Sequence, residues 1–164
     1  MTIETWELLS YVVTVLGLPV AITVFVLEKR KERSVEEEEV YEALSTNYHD
    51  FLRLALENPD LRLLSTARTG DLSDEQHERM HAIFGLLIAL FERAYLLLYE
   101  SGLTGKEARR WQSWDDFMQE WCDRQDFREA IPLLLHGEDP EFATYLVKLA
   151  QEAELKQTHV NRSV

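Results

Sequence analysis

Residues 8–33 read LLSYVVTVLGLPVAITVFVLEKRKER, where a long apolar run ends at a cluster of charged side chains. The run covers residues 8–27 and contains twenty uncharged residues, thirteen of which are Val, Leu, Ile or Phe. A helix of this length rises ~30 Å, which matches the hydrocarbon core of a lipid bilayer. We therefore predict that residues 8–27 form a single membrane-spanning helix and that the bilayer is one partner of the protein.

The two flanks of the apolar run differ in charge. Glu4 and Glu7 precede it without any Lys or Arg, whereas four basic residues lie within residues 28–33. Because basic flanks stay on the cytoplasmic side, we predict an N-terminus outside and a C-terminal domain in the cytoplasm. A cleaved signal peptide and a buried hairpin helix are the alternatives. A signal peptide would have a basic N-terminal region and a shorter apolar run, which this sequence lacks.

Acidic side chains dominate the rest of the chain. The formal net charge is −13, and residues 1–33 contribute nothing to it because their four acidic and four basic side chains cancel. An acidic domain is repelled by phosphate backbones, so nucleic acid is not expected as a partner. The single cysteine, Cys122, excludes an intrachain disulfide and is consistent with a reducing compartment.

Helix-start and helix-stop signals divide residues 34–155 into five predicted helices. Four helix starts are expected at Ser34, Ser73, Thr104 and Asp139, and a further short helix is expected around residues 127–135. No stretch alternates apolar and polar residues as a strand does. The predicted fold class is all-α, with an N-terminal transmembrane anchor and basic juxtamembrane segment (residues 1–33), an acidic cytoplasmic bundle of about five helices (residues 34–155) and a flexible tail (residues 156–164).

The predicted helix from Ser73 to Ser101 is apolar nearly all round, apart from the adjacent charges of Glu92 and Arg93. The cost of burying two ionised side chains in lipid offsets most of the insertion energy, so we predict the central helix of the bundle. Neighbouring helical residues point about 100° apart, so these two side chains do not pair with each other. We predict that Glu92 and Arg93 are buried charges with partners on another helix, and a ligand-binding role is the alternative.

Two further patterns concern helix packing. Trp111, Trp114, Met118 and Trp121 share one helical face, which predicts either core packing or a groove for a partner helix. Ser10, Thr14, Gly17 and Ala21 form a stripe of small residues along the predicted membrane helix. Small residues let two helices approach closely, so the stripe predicts self-association into a homo-oligomer. The alternative is that residues 17–19 only introduce a kink.

The sequence His77-Glu78-Arg79-Met80-His81 spells H-E-x-x-H on a predicted helix. Histidines at i and i+4 can hold one zinc ion, with the glutamate as general base, so a membrane-tethered zinc hydrolase is an alternative function. Random order produces this string in roughly 2 of 100 chains of this composition. No third ligand has a recognisable spacing, and no strand is available to bind an extended peptide. We therefore expect solvent-facing histidines, with no metal, cofactor or catalytic residue.

Several short motifs resemble those of a group of bacterial proteins with one N-terminal membrane helix and a cytosolic all-helical domain of unknown function. The motifs are Asn58-Pro59-Asp60-Leu61, Phe91-Glu92-Arg93-Ala94-Tyr95, the pair Trp111 and Trp114, Phe127-Arg128 and Asp139-Pro140-Glu141-Phe142. This resemblance implies an all-α fold and a bacterial inner-membrane location, and it implies no activity. The function expected from the sequence is a non-enzymatic interaction or sensor protein that binds a protein partner or a small signal. A ligand-gated membrane effector is a third possibility.

Overall fold

Strong helix formers and few chain breakers produce a chain of consecutive helices. The computed structural model describes the backbone of residues 3–162 and the side chains of residues 21–29, 31–33 and 35–159. The five α-helices are α1 (Ile3–Glu57), α2 (Asp74–Leu98), α3 (Gly105–Cys122), α4 (Gln125–Leu134) and α5 (Pro140–Arg162), with a short 3-10 helix at Pro59–Leu61. Residues 3–162 contain no strand. The predicted all-α fold is therefore confirmed, and the structure has five α-helices where the sequence predicted a membrane helix followed by about five more.

The chain divides into two compact units, the first ending at Glu42 and the second beginning at Ala43. In the first unit most described apolar side chains of α1 are exposed, among them Ile22, Phe25 and Leu27, whereas Val40 and Tyr41 are half-buried. Residues 8–27, the predicted membrane span, lie within α1, but the side chains of residues 8–20 are outside the described part of the chain. The small-residue stripe falls mostly among them, since only Ala21 is described and its side chain is exposed.

Within the described residues, one helix is long and apolar enough to cross a membrane, and it is α2 rather than the N-terminal segment. Buried side chains make up 44% of its apolar window, and the core helix of a bundle meets the same criteria of length and composition. The described residues therefore do not support the N-terminal span, which stays a prediction.

Helix α1 has no break at Ser34, so the prediction that a separate helix starts there is wrong. The helix is continuous from Ile3 to Glu57. Ser34 and Glu37, which are three residues apart as in a capping box, therefore lie inside the helix. Residues 28–39 contain neither Gly nor Pro and are mostly Glu, Lys and Arg, which favour helix propagation. The helix ends where the sequence predicts, before Asn58 and Pro59, and the Asn58 Nδ2 donates to the Leu54 carbonyl at 2.9 Å.

Helix α2 lies against α3, α4 and α5 and supplies much of the core. Its buried face includes Phe84, Leu87, Ile88, Phe91 and Ala94. The helix starts with the predicted capping box, in which the Ser73 backbone N–H donates to Gln76 Oε1 at 2.9 Å and the Gln76 N–H donates to Ser73 Oγ. It ends at Leu98, before the predicted end at Ser101.

The remaining helix starts agree with the sequence signals to different degrees. The Asp139 side chain accepts hydrogen bonds from the backbone N–H groups of Glu141 and Phe142, at 2.9 and 3.0 Å, and so caps α5 as predicted. The Thr104 side chain makes no capping hydrogen bond at the start of α3. Helix α5 continues to Arg162, so the backbone of residues 156–162, predicted to be part of a flexible tail, is helical.

Packing of aromatic side chains fills the centre of the second unit. Trp114, Met118 and Trp121 are buried, so three of the four residues of the predicted tryptophan face lie in the core, while Trp111 is half-buried. The Trp121 Nε1 donates to the Tyr48 hydroxyl at 3.2 Å, which joins α3 to α1. Cys122 is also buried, and its burial raises the pKa of the thiol to about 12.

Candidate functional site

A groove of about 390 Å³ lies between the last turns of α1 and the middle of α2, entirely within the second unit. Its lining residues come from both helices: Asn47, Asp50, Phe51 and Leu54 from α1, and Leu86, Ala89, Leu90 and Arg93 from α2. Most of the lining is apolar, and its edges are charged. A concave apolar surface with a few polar groups at its rim is a common form of binding site.

The open side of the groove continues along an exposed stripe of α2, which we call the α2 seam. Its members recur at alternating intervals of four and three residues: Ala82, Leu86, Ala89, Arg93 and Leu96. All five are exposed, Leu86 to 59% and Leu96 to 58%. Apolar side chains at this spacing form the contact line of paired helices, where they are normally covered by the partner. The seam is therefore an exposed, mostly apolar stripe with the spacing of a helix-packing surface.

Two opposite charges lie on facing walls of the groove. Asp50 on α1 pairs with Arg53 at 3.3 Å, and both side chains are largely exposed. Arg93 on α2 is exposed, so the prediction that it is a buried charge is wrong. Residue 93 is about 100° further round the helix than Glu92, which turns its side chain away from α5 and towards the groove. The described contacts of Arg93 include no ion pair.

Glu92 is half-buried and faces the start of α5 instead of a basic side chain. Its Oε1 accepts a hydrogen bond from the Asp139 backbone N–H at 2.5 Å. The neighbouring Glu138 carboxyl is hydrogen-bonded to Glu92, and this bond, together with partial burial and the Glu92 charge, raises the pKa of Glu138 to about 7. Glu92 therefore contacts the residues that precede α5 and forms no ion pair among its described contacts.

We expect the Glu138 proton to make the free energy of unfolding fall as pH rises. The folded-state pKa of about 7 exceeds the ordinary value of 4.5, so this stabilisation is complete below about pH 4.5 and lost as pH passes 7. Because Glu138 is only partly buried, solvent screening limits the loss to about 1 kcal/mol.

Urea denaturation at pH 5 and pH 8 measures this loss. The Glu138→Gln variant carries a neutral amide that can still donate to Glu92. Between pH 5 and pH 8 its free energy of unfolding should therefore fall by about 1 kcal/mol less than that of the wild type. Glu141→Gln, an exposed glutamate on α5, should keep the wild-type dependence. Equal pH dependence in wild type and Glu138→Gln would contradict the raised pKa of Glu138.

Arg124, which the sequence analysis did not single out, is the most enclosed charge of the described bundle, with a side chain 2% exposed. Its Nη1 donates to backbone carbonyls of Arg62, Leu63 and Ser65, and its Nη2 to the Thr69 hydroxyl at 2.9 Å. Its Nε lies 2.5 Å from the Asp126 carboxylate. Arg124 therefore fixes the connection between α1 and α2 against the start of α4. In the sequence, this cluster is marked only by a basic and an acidic residue two positions apart, Arg124 and Asp126, at the junction of α3 and α4.

The histidines of the H-E-x-x-H motif are exposed, and so is Glu78. His77 and His81 line a cleft of about 220 Å³ that also includes Asp126 and Glu129. The His77 Nδ1 is 3.1 Å from the Ser73 carbonyl, which ties one ring nitrogen to the helix start. Over the described side chains, no group of three or more His, Cys, Asp or Glu residues is arranged to hold a metal ion.

Trp111 belongs to a cluster of four aromatic rings, which also includes Tyr95, Tyr99 and Tyr145. The ring centroids are separated by 4.7 to 5.8 Å, so the rings pack directly against one another. The Tyr145 hydroxyl donates to the Asp115 carboxylate, and burial with this contact raises the pKa of Tyr145. This cluster joins α2, α3 and α5 by packing and leaves the α1–α2 groove as the more open apolar surface.

Comparison with known proteins finds no matching family model, no similar curated protein and no similar solved structure. The bacterial group suggested by the short motifs stays a prediction.

Proposed function

We propose that this protein is a membrane-anchored, non-enzymatic interaction protein whose cytoplasmic helical domain binds a helical protein partner in the α1–α2 groove. Residues 8–27 would hold it in a bacterial inner membrane, with the second unit in the cytoplasm. The exposed apolar side chains of α1, including Ile22, Phe25 and Leu27, support contact with lipid.

The observation that carries this proposal is the uncovered α2 seam beside the groove. Leu86 is 59% exposed although its neighbours Leu87 and Ile88 are fully buried. Fully burying a leucine side chain is worth about 1.5–3 kcal/mol, so a partner that covers Leu86 and Leu96 gains substantial free energy. An amphipathic helix fits such a groove through apolar residues at i, i+3, i+4 and i+7.

The membrane anchor would make this binding effective at low protein concentration. Tethering confines the helical domain to the surface where other membrane proteins lie, which raises the effective concentration of the two partners.

A ligand-gated effector would use the same groove to rearrange associated spans. The small-residue stripe motivates that version, and its side chains lie mostly outside the described residues.

A zinc hydrolase is the second candidate, supported by one observation. His77 and His81 line the same cleft as Asp126 and Glu129. Two features oppose it, since Asp126 is engaged by Arg124 and Glu129 pairs with Arg68 at 3.7 Å. Zinc analysis of the purified full-length protein separates the candidates. Stoichiometric zinc that is lost in His77→Ala would favour the hydrolase, and zinc that is substoichiometric and unchanged in His77→Ala would favour the interaction protein.

Site-specific photo-crosslinking in intact cells tests the proposed groove. A photoreactive amino acid replaces Leu86 in the full-length protein, and a matched control carries it at Leu155, which is 61% exposed on α5. We expect a crosslinked product of discrete mass in the membrane fraction from position 86 and none from position 155. Equal products from both positions, or none from position 86, would contradict the proposed partner surface.

Fractionation of the same cells tests the anchor. Wild-type protein is expected in the membrane fraction and should need detergent for release. Arg substituted for Leu16 and Val20 together would cost about 5–7 kcal/mol of insertion energy and should move the protein to the soluble fraction. A control with Arg at Leu133 and Leu155, two exposed positions outside the predicted span, should stay in the membrane fraction. Soluble wild-type protein would contradict the anchor.

A further inference from the structure

The α1–α2 groove carries opposite charges on its two walls, and this arrangement is self-complementary. Asp50, whose ion pair with Arg53 is largely exposed, lies on the α1 wall, and Arg93 lies on the α2 wall. A two-fold axis in front of the groove exchanges the walls between two copies, so each Arg93 can meet the Asp50 of the other copy. The same contact forms twice, as in other isologous interfaces.

The α2 seam has the shape and composition that such a contact needs. Leu86 projects from the seam between the small residues Ala82 and Ala89, so its side chain can enter the groove of the other copy. The seam contains no acidic side chain, although the formal net charge of the chain is −13. The acidic surface on the rest of the protein repels a second copy electrostatically, whereas the α2 seam does not.

We infer that the α1–α2 groove is a homodimer interface, in which α2 of each copy lies against the α1 wall of the other and Arg93 of each copy pairs with Asp50 of the other. This inference rests on the proposed function, because it identifies the partner of the same groove as a second copy of this chain. It is distinct from self-association through the small-residue stripe of the predicted membrane helix, since it uses only residues of the second unit.

Variants with swapped charges test the interface in the purified full-length protein. The mass of each variant is measured in detergent over a range of protein concentrations. Wild type is expected to be a dimer. Arg93→Asp and Asp50→Arg, each alone, place like charges opposite each other and should weaken dimerisation at least about tenfold. The double variant restores opposite charges and should return the dissociation constant to within about threefold of wild type. Circular dichroism checks that each variant is helical.

Two more variants separate this contact from the membrane-helix stripe. Leu86→Arg should reduce dimerisation at least about tenfold because it places a charge in the apolar seam, whereas Gly17→Leu should leave the groove contact intact. Dimers that persist when Leu86→Arg is combined with Gly17→Leu, a monomeric wild type, or a charge-swapped double variant no better than the single ones would each overturn the inference. A groove crosslink to a protein of different mass would also overturn it, while leaving the proposed function standing.

Discussion

Replacing Arg124 by methionine is expected to lower the free energy of unfolding by about 3–5 kcal/mol, because it removes one partner of a buried ion pair. The substitution keeps much of the side-chain volume and deletes the guanidinium. Asp126, with a side chain 11% exposed, would lose its partner, and the carbonyls of residues 62–65 would lose the Nη1 donor. Burying these groups without hydrogen bonds is the source of the cost.

Urea denaturation of wild type and variants measures this loss. Arg109→Met is a matched control, since Arg109 is exposed on α3, and its effect should stay within about 0.5 kcal/mol. Arg124→Lys keeps the charge but cannot reach all the same acceptors. Its free energy of unfolding should therefore lie between those of wild type and Arg124→Met. A loss below about 1 kcal/mol in Arg124→Met would show that the α1–α2 connection does not depend on Arg124.

Trp114→Ala is expected to destabilise the bundle by about 3–5 kcal/mol, because it leaves a large cavity in the core. The Trp114 side chain is 1% exposed, and its ring lies 5.8 Å from Tyr48 and 6.5 Å from Phe91, measured between centroids. These contacts come from α1 and α2, so the surrounding helices cannot all move in to fill the space.

Trp111→Ala provides the comparison within the same helix. Trp111 is half-buried and packs against Tyr95, Tyr99 and Tyr145, so its loss should cost about 1–2 kcal/mol less than the loss of Trp114. Thermal or urea unfolding of both variants under one set of conditions gives the difference. A Trp111→Ala variant that is the less stable of the two would contradict the assignment of Trp114 to the core.

Local sequence signals predicted most of the helix boundaries. Ser73 with Gln76, Asp139 before Pro140, and Asn58 before Pro59 act within one turn of the helix end, so each pattern contains all the atoms it needs. Ser34 shows the limit of such signals. A capping-box spacing inside a run of helix-forming residues does not interrupt the helix, because only a chain breaker would oppose propagation.

Features that depend on distant residues were not predictable in the same way. The acceptors of Arg124 lie about sixty residues earlier in the chain, and the Glu138 proton depends on Glu92 of another helix. The sequence shows that α2 is apolar nearly all round, which predicts burial of the whole helix. Only packing reveals that α3, α4 and α5 leave the side bearing Leu86 and Arg93 open.

The environment of Cys122 has a practical consequence for spectroscopy. A thiol with a pKa of about 12 is almost entirely protonated at neutral pH, and burial also shields it from reagents. Since Cys122 is the single cysteine of the chain, a new cysteine on any exposed helix would take up a maleimide dye or spin label selectively. Distances within the native fold can thus be recorded without first removing the natural sulfhydryl.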